Sequence, residues 1–191
     1  NLLTLLQARA PGAFDWHPLE NHAQGWRIQL SRREEATVPS RQLQEFMATD
    51  HARLQALSDA LVWSAKQDDA VEVKRSHRHL NTGLLRHLRM EERVVFPVLV
   101  QKLGHPGGPA AMLMQQHARL RKLLGAVDKQ LAQANQPERL VPLVAELVDA
   151  LGNHQSMEER VLYGLTDLVL TDKEREALLR QCQRVVPASF V

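Results

Sequence analysis

The sequence predicts an all-α protein: an up-down-up-down four-helix bundle with an N-terminal extension and a short C-terminal fifth helix. Three observations predict it. Apolar residues recur at three- and four-residue spacing along four long stretches, the period of a helix with one buried face. Short joins rich in Gly, Pro and Asn separate those stretches, which favours antiparallel neighbours. Finally, the chain repeats itself. Residues 87–96 read HLRMEERVVF, and HQSMEERVLY follows 67 residues later at 154–163. His51-Ala52-Arg53-Leu54 likewise returns as His117-Ala118-Arg119-Leu120. The repeated unit is one His, a gap, then His-x-x-x-Glu, and repetition of ligand-type residues outweighs any single motif.

Residues 1–39 form the extension. Pro11-Gly12, His17-Pro18 and Gly25 punctuate it, and Trp16, Trp26 and Ile28 give it apolar mass to pack. Gly25–Leu30 reads as a short strand with no evident partner. The apolar run in residues 1–10 is too short for a signal peptide and lacks a basic leader, so it reads as a packing segment. His17 and His22 lie in no helical pattern and read as surface residues.

The bundle is expected over 40–170. Thr37-Val38-Pro39-Ser40 opens the first helix, about 40–67, with Leu43, Met47, His51, Leu54, Leu57 and Leu61 on its stripe. The second, about 70–103, carries Leu80, Leu84, His87, Glu91, Val94 and Val98. Pro97 lies inside it and predicts a kink, because a turn loses its hydrogen bond there. His77 and His79 fall off the stripe and read as exposed. Gly104-His105-Pro106-Gly107-Gly108-Pro109 divides the halves, with His105 in the loop. The third helix, about 110–134, carries Leu113, His117, Leu120, Leu124, Val127 and Leu131. Asn135-Gln136-Pro137 turns the chain. The fourth, about 138–169 with Pro142 near its start, carries Val144, Leu147, Leu151, His154, Glu158, Val161 and Leu165. Residues 171–191 form a last unit, where Thr171-Asp172-Lys173-Glu174 is a capping box opening a short fifth helix.

Composition narrows the function classes. A length of 191 residues and 44% hydrophobic content suit one core with an appendage. A formal charge of +2 with no basic tract argues against nucleic acid. No run approaches the ~20 apolar residues of a membrane span. The single cysteine, Cys182, excludes an intrachain disulfide framework. It points to a reducing, cytoplasmic setting and reads as an inert helix residue.

The chemistry lies in the spacing. Residues four apart on a helix sit about 40° apart around its axis. His87 with Glu91, and His154 with Glu158, therefore each present an imidazole and a carboxylate from one face. Such donors suit iron, manganese or zinc. Glu92 and Glu159 fall about 100° further round and read as solvent-facing. A lone His-x-x-x-Glu is more often a weak surface pair, and a lone core His is more often a hydrogen-bonded residue than a ligand. The joint pattern overrides that reading. His51, His87, Glu91, His117, His154 and Glu158 all lie on apolar stripes, where polar groups are expensive without a partner. A pair of metal ions is the simplest common partner.

These residues resemble the hemerythrin-like family, the His-His-Glu cation-binding domain, over about 40–170. The resemblance implies two irons inside a four-helix bundle, with an oxo or hydroxo bridge between them. Glu91 and Glu158 would bridge, and His51, His87, His117 and His154 would be terminal ligands. Zinc or manganese would accept the same donors. The Glu-x-x-His of ferritin-like bundles is not found at these positions, which disfavours iron storage of that type. One feature departs from the oxygen-carrying hemerythrins, which place His-x-x-x-His on the third helix. Here Leu113 and Arg121 stand four residues either side of His117. The smaller donor set implies an accessible, labile centre, closer to bacterial relatives linked to O2 or NO sensing and iron–sulfur cluster repair.

The expected function is therefore a non-haem di-iron protein binding O2 or NO, in sensing, storage or stress protection. The alternative is a di-iron enzyme: an oxidase, a peroxidase or an NO-handling catalyst. The balance leans away from an enzyme, because no proton donor is evident on the site face and Tyr163 falls one residue off the stripe. A metal-independent interaction module with a polar core is the third reading. The sequence leaves the oligomeric state open, a homodimer included.

Overall fold

The computed structural model describes residues 14–18, 28–32, 38–67, 69–104, 108–133 and 139–185, with side chains from Gln42 onward. The expectations for residues 1–10, the side chains of Trp16, His17, Trp26 and Ile28, His22, His105, the Asn135–Pro137 turn and the tail beyond 185 fall outside the described residues. The chain divides into two compact units, Asn1–Val38 and Pro39–Val191.

The first unit adds a short hairpin to the helical architecture. Strand β1, Phe14–Pro18, pairs antiparallel with β2, Ile28–Arg32. The short strand expected at Gly25–Leu30 is real but shifted, and it does have a partner. Trp16 pairs with Leu30 and His17 with Gln29. A two-residue alternation in so short a segment is invisible until its partner is known.

The second unit is helical among its described residues. Helix α1 spans Val38–Lys66, and α2 spans Ala70–Met90 with Asp69 capping the amides of Val71 and Glu72. The chain continues without a break through a π-helical turn, Glu91–Val95, into α3, Phe96–Leu103. Gly104 ends α3 at φ +67 and Gly108 precedes the next helix at φ +93, conformations that glycine adopts at little cost. Helix α4 spans Pro109–Ala132. Helix α5, Leu140–Met157, passes through a second π turn, Glu158–Leu162, into α6, Tyr163–Val169. Helix α7, Asp172–Gln183, opens with the expected capping box between Thr171 and Glu174. Buried Arg175 anchors α7 by donating to the Leu170 carbonyl at 2.5 Å.

The two π turns occupy the two copies of Glu-Glu-Arg-Val, each beginning on the first glutamate. Phe96 N–H donates to the Glu91 carbonyl, and Tyr163 N–H to that of Glu158, both across five residues. Each π turn absorbs one extra residue and moves the downstream face round by one. Leu99 and Leu103 are buried where Val98 was expected. In the second copy Leu162 and Thr166 are buried and Val161 is only partly so, while Leu165 is buried as expected. Pro97 accounts for only part of this, since position 164 in the second copy is glycine. Single-turn π-bulges are frequent at functional sites.

The core falls into two apolar clusters. One contains Leu54, Leu61, Leu80, Leu84, Leu88, Leu120, Leu124, Leu147 and Leu151. The other contains Leu43, Met47, Met90, Val95, Phe96, Leu99, Leu113, Leu162 and Leu178. The buried His and Glu residues come between them along each helix. His51 lies between Met47 and Leu54, and His117 between Leu113 and Leu120. Gly83 lets α2 approach α1, since a Cβ there would meet Leu54 and Leu57 at 3.3 and 3.2 Å. His77 corrects its expectation: it is 2% exposed, 3.1 Å from Asp128 across to α4. Cys182 is buried, and burial pushes its thiol up to about 12, as an inert residue requires.

Candidate metal centre

All six expected residues converge. His87, Glu91, His117, His154 and Glu158 are 0% exposed, and His51 is 5% exposed. Helix α1 supplies His51, α2 and its π turn supply His87 and Glu91, α4 supplies His117, and α5 and its π turn supply His154 and Glu158. Ligand atoms of His87, Glu91, His154 and Glu158 all lie within 4.8 Å of one another.

The histidines form two pairs. The His51 and His87 rings are 5.0 Å apart, and those of His117 and His154 are 4.8 Å apart. Glu158 Oε2 faces the first pair, 3.2 Å from His51 Nε2 and 3.6 Å from His87 Nε2. Glu91 Oε2 faces the second, 3.1 Å from His117 Nε2 and 3.7 Å from His154 Nε2. Each carboxylate also reaches the other pair. Glu158 Oε1 is 2.9 Å from His154 Nε2, and Glu91 Oε2 is 3.6 Å from His87 Nε2. Each carboxylate thus lies against both histidine pairs.

These inward atoms lie at ion-pair distance, yet hydrogen bonding leaves them unsatisfied. Nε2 of His87, His117 and His154 and both oxygens of Glu91 and Glu158 have no partner of hydrogen-bond geometry. Groups buried this deeply normally have one. Imidazole nitrogens and carboxylate oxygens gathered this closely, without hydrogen-bond geometry between them, fit a cation. A calcium-type site would need oxygen donors throughout, so a transition ion fits this set better.

The outward nitrogens have partners. His51 Nδ1 lies 3.1 Å from Glu159 Oε1, and His87 Nδ1 lies 3.1 Å from Asp50 Oδ2. His117 Nδ1 lies 2.8 Å from Glu92 Oε1, and His154 Nδ1 lies 3.1 Å from Gln116 Oε1. An Nδ1–H donor to each of these oxygens leaves the Nε2 lone pair facing inward, the usual arrangement of metal-binding histidine. Glu159 is exposed as expected and Glu92 is half-buried, and both also turn back onto histidines of the opposite half. The repeat of Glu-Glu carried that signal. Arg121 grips Glu92 through two hydrogen bonds, at 2.7 and 2.9 Å.

Charge is distributed to match. Burial would lower the basicity of His87, but Glu91, Asp50 and Glu158 raise its pKa to about 10. Burial likewise disfavours charge on His154, and Glu158 and Glu91 lift its pKa to about 9. Burial pushes Glu158 up, but its contacts with His154, His51 and His87 hold it well below the usual carboxylate range. Asp50 is pushed up by burial and brought down further by His87 and Arg53, so it stays ionised.

Tyr163 corrects the largest omission. Its hydroxyl lies 3.2 Å from His51 Nε2, on the site face, and the residue is buried. Burial and the charges of Glu158 and Glu91 push its pKa up, so it holds its proton. The π turn explains the difference, since the extra residue brings position 163 under Glu158. The same position in the first half is Phe96, stacked on His117 with ring centroids 5.3 Å apart.

Comparison with known proteins agrees with this geometry. The chain is 31% identical over 89 residues to the iron-sulfur cluster repair protein DnrN of Neisseria gonorrhoeae, a match covering 42% of this chain and 57% of that protein. The pattern of the Hemerythrin HHE cation binding domain matches residues 42–166. With most of the chain matched and its repeated His and Glu residues gathered in one buried cluster, the protein belongs to the hemerythrin HHE cation-binding family.

Proposed function

We propose that the protein holds two iron ions in this cluster and binds O2 or NO there, in sensing, storage or stress protection. One observation carries the reading: seven buried donor atoms on His87, Glu91, His117, His154 and Glu158 lack hydrogen-bond partners and converge on one another. His51 and His87 would hold one ion, His117 and His154 the other, and Glu91 and Glu158 would bridge them. A di-iron pair would supply one electron from each ion to a diatomic ligand. The chain supplies the rest. The two apolar clusters exclude water, the four outer partners orient the imidazoles, and Tyr163 keeps a proton beside His51.

The functional unit is taken as residues 40–170, with its helices alternating up and down. The order in which each helix meets the two clusters supports that topology. Helix α1 runs from Met47 past His51 to Leu54, and α4 runs from Leu113 past His117 to Leu120. The chain runs the other way from Leu84 past His87 to Met90, and from Leu151 past His154 to Leu162.

Tyr163 also favours a second reading, a di-iron enzyme acting on NO or peroxide or in iron–sulfur cluster repair. It is a proton-bearing group beside the cluster, which an enzyme of this kind needs, and the DnrN relative is named for such repair. A cytoplasmic setting fits both readings. Among the described residues no helix is long and apolar enough to cross a membrane.

The test is metal content by mass spectrometry after anaerobic loading with ferrous iron, with an optical spectrum on exposure to air. Two irons per chain and a new near-ultraviolet charge-transfer band are expected. Sub-stoichiometric metal with no band would sink both readings. Steady turnover of NO or peroxide, abolished by Glu158→Ala, would select the enzyme.

A further inference from the structure

The two halves of the centre repeat the same donor types in the same order and differ at two pairs of positions, Tyr163 against Phe96 and Asp50 against Gln116. Asp50 precedes His51 as Gln116 precedes His117. Each reaches the Nδ1 of the histidine on the next helix of its own half. Asp50 Oδ2 lies 3.1 Å from His87 Nδ1, and Gln116 Oε1 lies 3.1 Å from His154 Nδ1. The contact is the same in distance and in acceptor element, but one acceptor carries a negative charge and the other does not. The remaining outer partners, Glu159 on His51 and Glu92 on His117, are both carboxylates.

We infer that the two metal positions are unequal: the His51/His87 position binds its ion more tightly, and the His117/His154 position holds the exchangeable one. This rests on the di-metal reading above. A carboxylate behind an imidazole makes the opposite nitrogen a stronger donor than an amide does, and outer partners of this kind shift metal affinity by roughly 10–100-fold. The first position has two carboxylate-backed imidazoles and the second has one. Arg53 and Arg86, at 2.7 and 3.6 Å from Asp50, keep that carboxylate ionised without displacing it from His87. Gln116 has no charge to keep, and its amide nitrogen is spent on the Met157 sulfur at 3.2 Å.

The inference is tested with ferrous iron, added anaerobically to the full-length metal-free chain and withdrawn with a chromogenic ferrous chelator. Two ions are expected to bind, with affinities separated by at least about tenfold, and to leave in two phases. Gln116→Glu is expected to strengthen the weaker step until the two merge. Asp50→Asn is expected to weaken the stronger step by a similar factor. A gain from Gln116→Glu cannot come from mere structural damage, and it carries the test alone if Asp50→Asn loses its helical circular dichroism. Two equal steps in the natural protein, or unequal steps that Gln116→Glu leaves unchanged, would overturn the inference and leave the di-metal reading standing. Fewer than two ions bound would overturn both.

Discussion

The hydroxyl of Tyr163 lies 3.2 Å from Nε2 of His51, the nitrogen that would face an ion. The residue at the same position of the other half is Phe96. Tyr163→Phe therefore makes the two halves alike at this position with little change in volume. Iron content should be unchanged. Affinity of the diferric protein for azide should fall about fivefold, the worth of one hydrogen bond of ~1 kcal/mol. Optical titration with azide measures it. Unaltered affinity would show that the hydroxyl serves His51 alone and not the bound ligand.

Glu91 and Glu158 each face both histidine pairs, so on the proposed two-ion reading neither position would be complete without both. Glu91→Ala and Glu158→Ala are expected to reduce bound iron from two ions to one or none, with helical content retained. Mass spectrometry of the loaded variants decides it. Retention of two ions by either variant would show that the carboxylates do not bridge.

The buried charges set a pH dependence of opposite sign in the metal-free and metal-bound proteins. His87 and His154 titrate near 10 and 9 when folded, above the ordinary 6.5. A raised folded pKa stabilises the fold fully below the unfolded value and loses that stability as pH climbs through the folded one. Glu158 is lowered below 4.5, so its contribution is present above that value and lost as pH falls through its folded pKa. The metal-free protein should melt highest from about pH 5 to 6.5 and lose stability toward pH 10. Metal must displace protons from both imidazoles, so iron affinity should rise over that upper window. Thermal melts and metal titrations at several pH values test the pair of slopes. A metal-free melting temperature that rises between pH 7 and 10 would contradict the protonated state assigned to these histidines.

The apolar layer should be separable from the donors. Leu147 is fully buried in the cluster below the site. Leu147→Ala is expected to cost about 3–4 kcal/mol of stability by leaving a cavity. The folded fraction should still bind two irons. Chemical denaturation of the metal-free chain measures the first and metal analysis the second. Loss of metal at full helicity would mean that the cluster shapes the site directly.

The sequence by itself determined the helices and the six inward residues. A buried stripe has a period that shows in a single chain, and His51, His87, Glu91, His117, His154 and Glu158 interrupt that stripe twice in the same order. Only the tertiary structure decided which groups stand behind and beside them. Glu92 and Glu159 cross to histidines of the other half, and His77 meets Asp128 on another helix. Such contacts follow from packing between helices and leave no period to read. The same holds for the hairpin of Phe14–Pro18 with Ile28–Arg32, whose strands are defined only by each other. Tyr163 marks the boundary most clearly. An ideal helix puts it one residue off the stripe, and one extra residue in a π turn brings it to His51. That turn coincides with the repeated Glu-Glu-Arg-Val, but apolar periodicity assumes a uniform helix and gives no sign of an inserted residue.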